Sequence, residues 1–333
     1  MKKPAIICYL LVVICYLTAC APKYEKFEAT FPDYFDVDSS ITVWATSNAD
    51  FQKARDAARD VIVQCDKLYD IYHDYDGINN LKTINDNAGL SPVTVDPLLR
   101  DMITYAVAAY DYTDGLINVA LGPVLSIWHD HRTAKQTLPD MAELHAAYTL
   151  CDINDVVIDG DTVFLKKRGM SLDVGAIAKG YAAQLAINAA VDAGAESVLL
   201  NMGGNVVTHG KPMNGRDSWL IGIQNPTGGQ LLDTVPMNDG AVVSSGSYQR
   251  YFIVDGVSYG HIIDPATLMP PTRYTHVSVV CDSSAAAEML STAIFIADRA
   301  EGEHLAKRWN AALLWYYADG SIETTENWKG EVK

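Results

Sequence analysis

The sequence is poor in basic residues, paired cysteines and long apolar runs. It has 25 Lys and Arg against 41 Asp and Glu, a formal net charge of −16. This balance argues against a nucleic-acid-binding protein, which needs a basic face. No CxxC spacing occurs, so the cysteines predict neither a zinc motif nor a disulfide framework. Internal repeats and low-complexity segments are also lacking, and the composition is that of an ordinary globular protein.

The charge-free run from Ala5 to Leu17 is too short to favour a transmembrane helix. It follows two lysines and fits the apolar region of a secretory signal. Small residues stand directly before Cys20, which resembles a bacterial lipobox. That resemblance implies removal of residues 1–19, lipid on Cys20 and a tether over 20–35. The alternative is an ordinary signal peptide with an incidental cysteine. In both cases we expect an exported protein, and with the lipid it is anchored to a bacterial membrane.

The three cysteines that follow, Cys65, Cys151 and Cys281, are far apart and lie within or beside apolar runs. We therefore expect buried free thiols.

Residues 171–205 are the stretch around which the rest of the chain is organised. Apolar residues recur at three- and four-residue spacing from about Ala176, which predicts a helix that ends at Gly194. A buried strand and a second glycine turn follow. Asp173 precedes the helix and Lys179 lies within it, and a helix start offers unpaired N–H groups to an anion. The pattern also fits a helix packed on a strand, with glycines used only for turns.

Elsewhere helical and strand patterns are mixed without strict alternation, which favours an α+β fold. The predicted helices cover residues 50–68, 97–112, 138–150 and 284–297. The predicted strands cover residues 41–44, 219–224, 241–248 and 277–281. Two further segments predict β-hairpins around Asp-Gly turns, at 156–165 and 251–259.

Two groups of side chains are candidates for metal binding. Trp128-His129-Asp130-His131 has histidines at i, i+2, which is not the i, i+4 spacing of helical zinc ligands. We interpret this segment as surface or cleft-rim residues. Glu288 and Thr292 share one helix face and offer the hard oxygens that Mg²⁺ prefers, with a carbonyl near Gly175 as a third ligand. A solvated helix face and a structural His261 are the alternative interpretations. The residues alone therefore predict an exported α+β protein with a phosphate or metal site.

Several segments resemble motifs of the ApbE family, the FAD:protein FMN transferases, and occur in the family's order. The motifs D-L-G-G-I-A-K-G-Y-A, N-L-G-G-D, S-G-D-Y-E-R-Y-F, H-I-I-D-P and D-A-L-S-T-A resemble, in turn, residues 173–182, 200–205, 245–252, 261–265 and 288–293. Residues 115–124 follow G-x-F-D-x-T-x-G-P-L loosely. The resemblance implies an ApbE-like mixed sheet with flanking helices over residues 36–333.

The resemblance also implies a reaction. The family cleaves the FAD pyrophosphate with Mg²⁺, transfers FMN to a Thr or Ser hydroxyl of a partner protein and releases AMP. The implied acceptor is a subunit of a membrane redox complex that carries a short Ser/Thr motif. Two other activities remain open: an FAD pyrophosphatase that gives FMN and AMP, and a non-catalytic flavin-binding lipoprotein.

The family's functional residues correspond to particular positions here. The implied metal-site positions are the Ala176 carbonyl, Glu288, Thr292 and the adjacent Ser291. The implied FAD contacts are Asp173, Lys179, Ile263, Leu116, Ile117, Asn118 and Tyr72, the last by stacking on a ring. His261 matches the family's important histidine and is the candidate base for the acceptor hydroxyl, since imidazole titrates near neutral pH.

Five positions depart from the family motifs. The metal-site aspartate is Glu288, one methylene longer. The aspartate and threonine of the F-D-x-T pattern are Asn118 and Ala120. The N-L-G-G-D aspartate is Asn205, and the S-G-D-Y aspartate is Ser247. These changes bear on metal geometry and on the flavin contacts.

Overall fold

The computed structural model describes residues 23–331. The predicted leader, residues 1–19, and Cys20 lie outside this range. Within it, no helix combines the length and apolarity needed to cross a bilayer.

Helices and strands are both abundant in the described residues. The α-helices are α1 Asn48–Tyr69, α2 Leu81–Asp86, α3 Pro97–Tyr112, α4 Gly122–Asp130, α5 Met141–Tyr148, α6 Ala178–Asp192, α7 Ser284–Ile296 and α8 Arg299–Arg308. The strands are β1 Glu25–Tyr34, β2 Val37–Ala45, β3 Val93–Thr94, β4 Val156–Asp159, β5 Thr162–Leu165, β6 Val198–Met202, β7 Asn205–His209, β8 Trp219–Ile223, β9 Asp233–Met237, β10 Gly240–Gly246, β11 Tyr251–Val254, β12 Val257–Gly260, β13 Tyr274–Cys281, β14 Ala312–Tyr317 and β15 Ile322–Thr324.

One large sheet has the strand order β1-β2-β6-β7-β10-β13-β14-β15. The sheet was expected to be mixed, but each of its described strand pairs is antiparallel. Smaller sheets are formed by β3-β5-β4, β8-β9 and the hairpin β11-β12. The α+β fold class is confirmed.

The segment interpreted as a tether contains the edge strand of this sheet, so that interpretation is wrong for Glu25–Tyr34. β1 pairs with β2 along most of its length, and its alternate residues Phe27, Ala29 and Phe31 face the protein. The Phe27 ring stacks on Phe51 of α1 at a centroid distance of 5.2 Å. Charged residues between the apolar ones give the strand the composition of a linker, and only pairing with β2 makes it part of the domain.

Helices α1, α6 and α7 pack together against the large sheet. α6 is buried on more than one side through small residues, which let its neighbours approach closely: Ala178, Gly180, Ala182, Ala183 and Ala186. Along α7 nearly every residue is buried, as expected for a helix that is apolar around most of its circumference. Cys65, Cys151 and Cys281 are free and buried, which confirms the prediction.

A second cluster of buried residues holds the β11–β12 hairpin in place. Trp128 of α4 contacts Phe252 of β11 edge to face at 6.3 Å and stacks on Tyr259 of β12 at 6.4 Å. Its indole N–H donates a hydrogen bond of 2.9 Å to the Leu268 carbonyl. These contacts hold the hairpin in place, and with it His261, which directly follows β12.

Candidate active site

Asp173 stabilises the turn before α6 through two hydrogen bonds. Its N–H donates to the Val119 carbonyl at 2.9 Å, and its Oδ1 accepts from the Gly175 N–H at 2.8 Å. Residues 171–174 form neither helix nor strand. The helix begins at Ala178, so Ala176 lies in the turn. Burial raises the pKa of Asp173, and the Gly175 N–H and the nearby His129 and Arg132 oppose that shift.

Glu288 of α7 is the carboxylate at the centre of the site. It is only 4% exposed, and both of its oxygens have partners. Lys179 of α6 donates to Oε1, and the Asn205 side-chain amide donates to Oε2 at 2.7 Å. A buried carboxylate with a charged partner and a second hydrogen bond avoids most of the cost of leaving water.

Asn205 is itself held by neighbouring side chains. It is 1% exposed, and its Oδ1 accepts from the Ser284 hydroxyl at 2.8 Å. The Ser284 N–H donates to the Gln184 Oε1 at 2.8 Å. The opposite orientation of the Asn205 amide would place an oxygen against the Glu288 carboxylate, so the network itself fixes which atom faces Glu288.

The other two proposed metal-site positions on α7 have different surroundings. Ser291 is 1% exposed; its hydroxyl donates to the Glu288 carbonyl and bonds the Ser245 hydroxyl, both at 2.9 Å. Ser291 therefore faces β10, and a contact with metal stays a prediction. Thr292 is partly exposed and lies one turn from Glu288, as the spacing predicted.

His261 follows β12 directly and lies in a cationic environment. Burial together with Arg250, Arg132 and Lys179 lowers the pKa of His261 to about 4, and a backbone hydrogen bond to Arg250 acts in the opposite direction. Its Nδ1 is buried and has no hydrogen-bond partner within residues 23–331. The imidazole is therefore neutral near pH 7 and can act as a proton acceptor.

Arg132 was missed by the sequence reasoning. It lies in a π-helical turn, His131–Lys135, that continues α4, and its guanidinium contacts His129 Nδ1 at 3.2 Å. Burial and the proximity of Arg250 lower the pKa of Arg132. The His129 ring lies 6.1 Å from that of Tyr72, so Arg132 and Tyr72 are both neighbours of His129.

Tyr72 is 58% exposed. Partial burial and the nearby Asp173 raise the pKa of its phenol, and Arg132 and Arg250 oppose this shift. An exposed aromatic ring can stack on a ligand, and the contact of Tyr72 with FAD stays a prediction. His129 is partly exposed and Asp130 is exposed, which agrees with the interpretation of these two residues as surface residues. His131 instead is buried and its Nδ1 bonds the Thr137 carbonyl at 2.8 Å.

The segment Leu116-Ile117-Asn118 is held within the protein. Ile117 is buried. Asn118 accepts from the Ala120 N–H at 2.9 Å and donates to the Cys151 carbonyl at 2.8 Å. An aspartate could not donate that second bond, which gives the Asn118 departure a structural reason. Ile263 is buried in the same hydrophobic cluster as Trp128 and Phe252. Flavin contacts by these four residues stay predictions.

The structure brings Asp173, Lys179 and His261 into one group of interacting charges with two unpredicted arginines, and Lys179 joins it to the Glu288 network. Arg250 lies inside the matched segment 245–252, so that match was a signal for it. Arg132 has no such local signal. Within the described part of the chain, no group of three His, Cys, Asp or Glu residues forms a metal cluster.

Comparisons with known proteins identify relatives of this chain. A FAD:protein FMN transferase of Klebsiella pneumoniae is 35% identical over 221 residues, which cover 64% of this chain and 66% of that protein. One of Treponema pallidum is 34% identical over 233 residues, which cover 65% of this chain and 64% of that protein. The aligned segments thus span slightly less than two thirds of these relatives.

The fold matches a solved structure over a longer range. The crystal structure of the ApbE protein of Thermotoga maritima superimposes with a TM-score of 0.80 at 28% identity, covering 91% of this chain and 97% of that one. The sequence model of the ApbE family matches residues 35–315, most of the chain. This protein therefore belongs to the ApbE family.

Proposed function

We propose that this protein is an FAD:protein FMN transferase. It moves FMN from FAD to a Thr or Ser hydroxyl of a partner protein and releases AMP. Membership of the family supports the proposal, as do the two relatives whose names state this activity.

The observation that carries the proposal is a group of cationic side chains in an acidic protein. The chain has a net charge of −16, yet Arg132, Arg250 and Lys179 all act on the single imidazole of His261. Three cations near one neutral histidine favour an anionic ligand, and burial strengthens their attraction to it. The diphosphate of a dinucleotide has the matching charge.

The reaction assigns a step to each group. The acceptor oxygen attacks the FMN phosphorus, the bond from that phosphorus to the bridging oxygen breaks, and AMP leaves. His261 takes the acceptor proton as a neutral imidazole. Arg132, Arg250 and Lys179 orient the phosphates and balance their charge, so catalysis is mainly positioning and electrostatics. Tyr72 stacks on a ring of FAD.

The residues around Glu288 fit Mg²⁺. The buried carboxylate already has a cationic group, the Lys179 ammonium, on Oε1, so this position favours positive charge. Mg²⁺ commonly takes only one or two carboxylates and completes its shell with waters and substrate phosphates. Glu288, the Thr292 hydroxyl and the Ala176 carbonyl would hold it. When bound, the ion neutralises charge on the diphosphate.

The proposal extends to location and partner. A lipid on Cys20 would hold the enzyme at the extracytoplasmic face of a bacterial membrane. A membrane redox subunit with a Ser/Thr motif would then be within reach as the acceptor.

The test combines the full chain with FAD, Mg²⁺ and such a subunit. After denaturation we expect flavin fluorescence on the acceptor, a mass gain equal to one FMN and an equal amount of AMP. Controls omit Mg²⁺ or replace the acceptor Thr by Val. Free FMN and AMP without a mass gain would instead indicate a pyrophosphatase, and intact FAD would indicate a binding protein.

A further inference from the structure

Asn205 and Glu288 are two of the positions at which the chain departs from the family motifs, and they are in direct contact. The Asn205 amide donates to Glu288 Oε2 at 2.7 Å. An ionised aspartate at 205 would place a second carboxylate at this buried position, and two adjacent like charges are unfavourable. In this chain an amide, and not a second carboxylate, therefore lies beside Glu288.

The two partners of the Glu288 carboxylate differ in freedom. Asn205 is 1% exposed, and Ser284 holds its other end. The Lys179 side chain is 27% exposed and has a long flexible stem. A cation that approaches Glu288 can therefore replace the ammonium on Oε1, whereas Asn205 stays on Oε2.

We propose that Asn205 is a positioning residue that fixes the Glu288 carboxylate for a divalent cation, and that Lys179 is the counter-ion which this cation displaces. The inference rests on the proposed Mg²⁺ site. Hydrogen-bond donors behind a metal-binding carboxylate orient it and raise metal affinity. The displaced ammonium is then free to face the substrate diphosphate, so metal and nucleotide strengthen each other's binding.

The experiment titrates Mn²⁺ into the nucleotide-free full chain at pH 8 and follows free Mn²⁺ by electron paramagnetic resonance. Asn205→Ala is expected to weaken Mn²⁺ binding by about 10–100-fold. Lys179→Met is expected to strengthen it, because the competing ammonium is gone. Opposite effects from two partners of one carboxylate do not arise from general loss of stability, which thermal unfolding of each variant measures separately.

Two matched controls accompany these variants. Asn201→Ala alters the same hairpin, where Asn201 caps the Gly204 N–H at 2.9 Å, and is expected to leave Mn²⁺ affinity unchanged. Arg132→Met removes a cation that acts on His261 but is not bonded to Glu288, and is expected to strengthen binding less than Lys179→Met does.

The outcomes separate this inference from the proposed function. Equal losses in Asn205→Ala and Asn201→Ala would overturn the positioning role, and equal gains in Lys179→Met and Arg132→Met would overturn the exchange. If Glu288→Gln binds Mn²⁺ as tightly as the unaltered chain, Glu288 is not the metal ligand. The proposed Mg²⁺ site then fails, and the inference fails with it.

Discussion

Gly180 of α6 lies directly against Glu288 of α7. A Cβ on Gly180 would be 2.3 Å from the Glu288 Cβ and 2.5 Å from the Ser284 carbonyl oxygen. Both distances are shorter than real contacts of this kind, so only glycine fits between the helices. This close approach puts the two helices in register and brings the Lys179 ammonium to the Glu288 carboxylate.

Gly180→Ala is therefore expected to destabilise the protein by about 1–3 kcal/mol, as overpacking does. The loss should appear although alanine favours a helix interior over glycine by about 1 kcal/mol. Urea unfolding measures it. The control is Gly302→Ala in α8, where the nearest atom to an added Cβ is 3.2 Å away on the Trp315 side chain. An alanine variant at 180 as stable as the parent would contradict the packing argument.

His261→Ala is expected to bind FAD normally but to transfer FMN about 10²–10⁴-fold more slowly, because the base for the acceptor hydroxyl is lost. Single-turnover transfer and equilibrium FAD binding are measured on the same preparation. His145→Ala, on the exposed helix α5, is the control and should transfer normally. Near-normal transfer by the 261 variant would rule out the proton-accepting role.

Binding of an anion is expected to raise the pKa of His261 from about 4 towards its ordinary value of about 6.5. The reason is that Arg250, Arg132 and Lys179 contribute to the lowered value, and a bound pyrophosphate offsets their charge. NMR titration of the imidazole with and without pyrophosphate measures the change. The His145 resonance reports any general effect of added salt. An unchanged His261 titration would place the anion elsewhere.

The stability of the protein is expected to fall as pH decreases from about 6.5 towards 4. Burial lowers the pKa of His276, and with nearby cations that of His261, each to about 4. Between pH about 6.5, the ordinary pKa of histidine, and pH about 4, the unfolded chain binds protons that the folded protein does not, so acid favours unfolding. Each histidine contributes a loss of about 2 kcal/mol between pH 7 and pH 5.

His276→Gln tests this assignment, because glutamine does not titrate and can still bond the Ser278 hydroxyl that His276 contacts at 2.7 Å. The free energy of unfolding in urea is measured at pH 7 and pH 5 for both proteins. The variant should lose less stability than the parent over this interval. An equal loss would show that His276 is not one of the responsible groups.

Several elements were predictable because their causes are local. Helix α3 was predicted over 97–112 and has these bounds, since Asp96 caps the Leu98 N–H and Pro97 suits a first turn. The hairpins at 156–165 and 251–259 were predicted from Asp-Gly turns, and both formed. Strand β1 was missed because charged and polar residues alternate with its apolar ones, and its pairing with β2 cannot be read from the local sequence.

The site was only partly predictable for a related reason. The motif matches located Asp173, Lys179, His261 and Glu288 in the sequence, and the fold brings three of them into one group of charges with Lys179 bonded to the fourth. They did not indicate Arg132, which joins this group from a π-helical turn with no distinctive local sequence. The departures Asn118 and Asn205 remained unexplained until the carbonyl of Cys151 and the carboxylate of Glu288 were found beside them.

The sequence by itself determined the family, the helix and turn chemistry and the identity of the reactive side chains, because each of these depends on neighbours close along the chain. The tertiary structure decided which of those side chains form ion pairs and hydrogen bonds with one another. Lys179 and Asn205 are 109 and 83 residues from Glu288, and they contact it only because glycine at 180 lets two helices close on each other. An ion pair or hydrogen bond acts over a few ångströms, so its partners depend on packing and not on order along the chain.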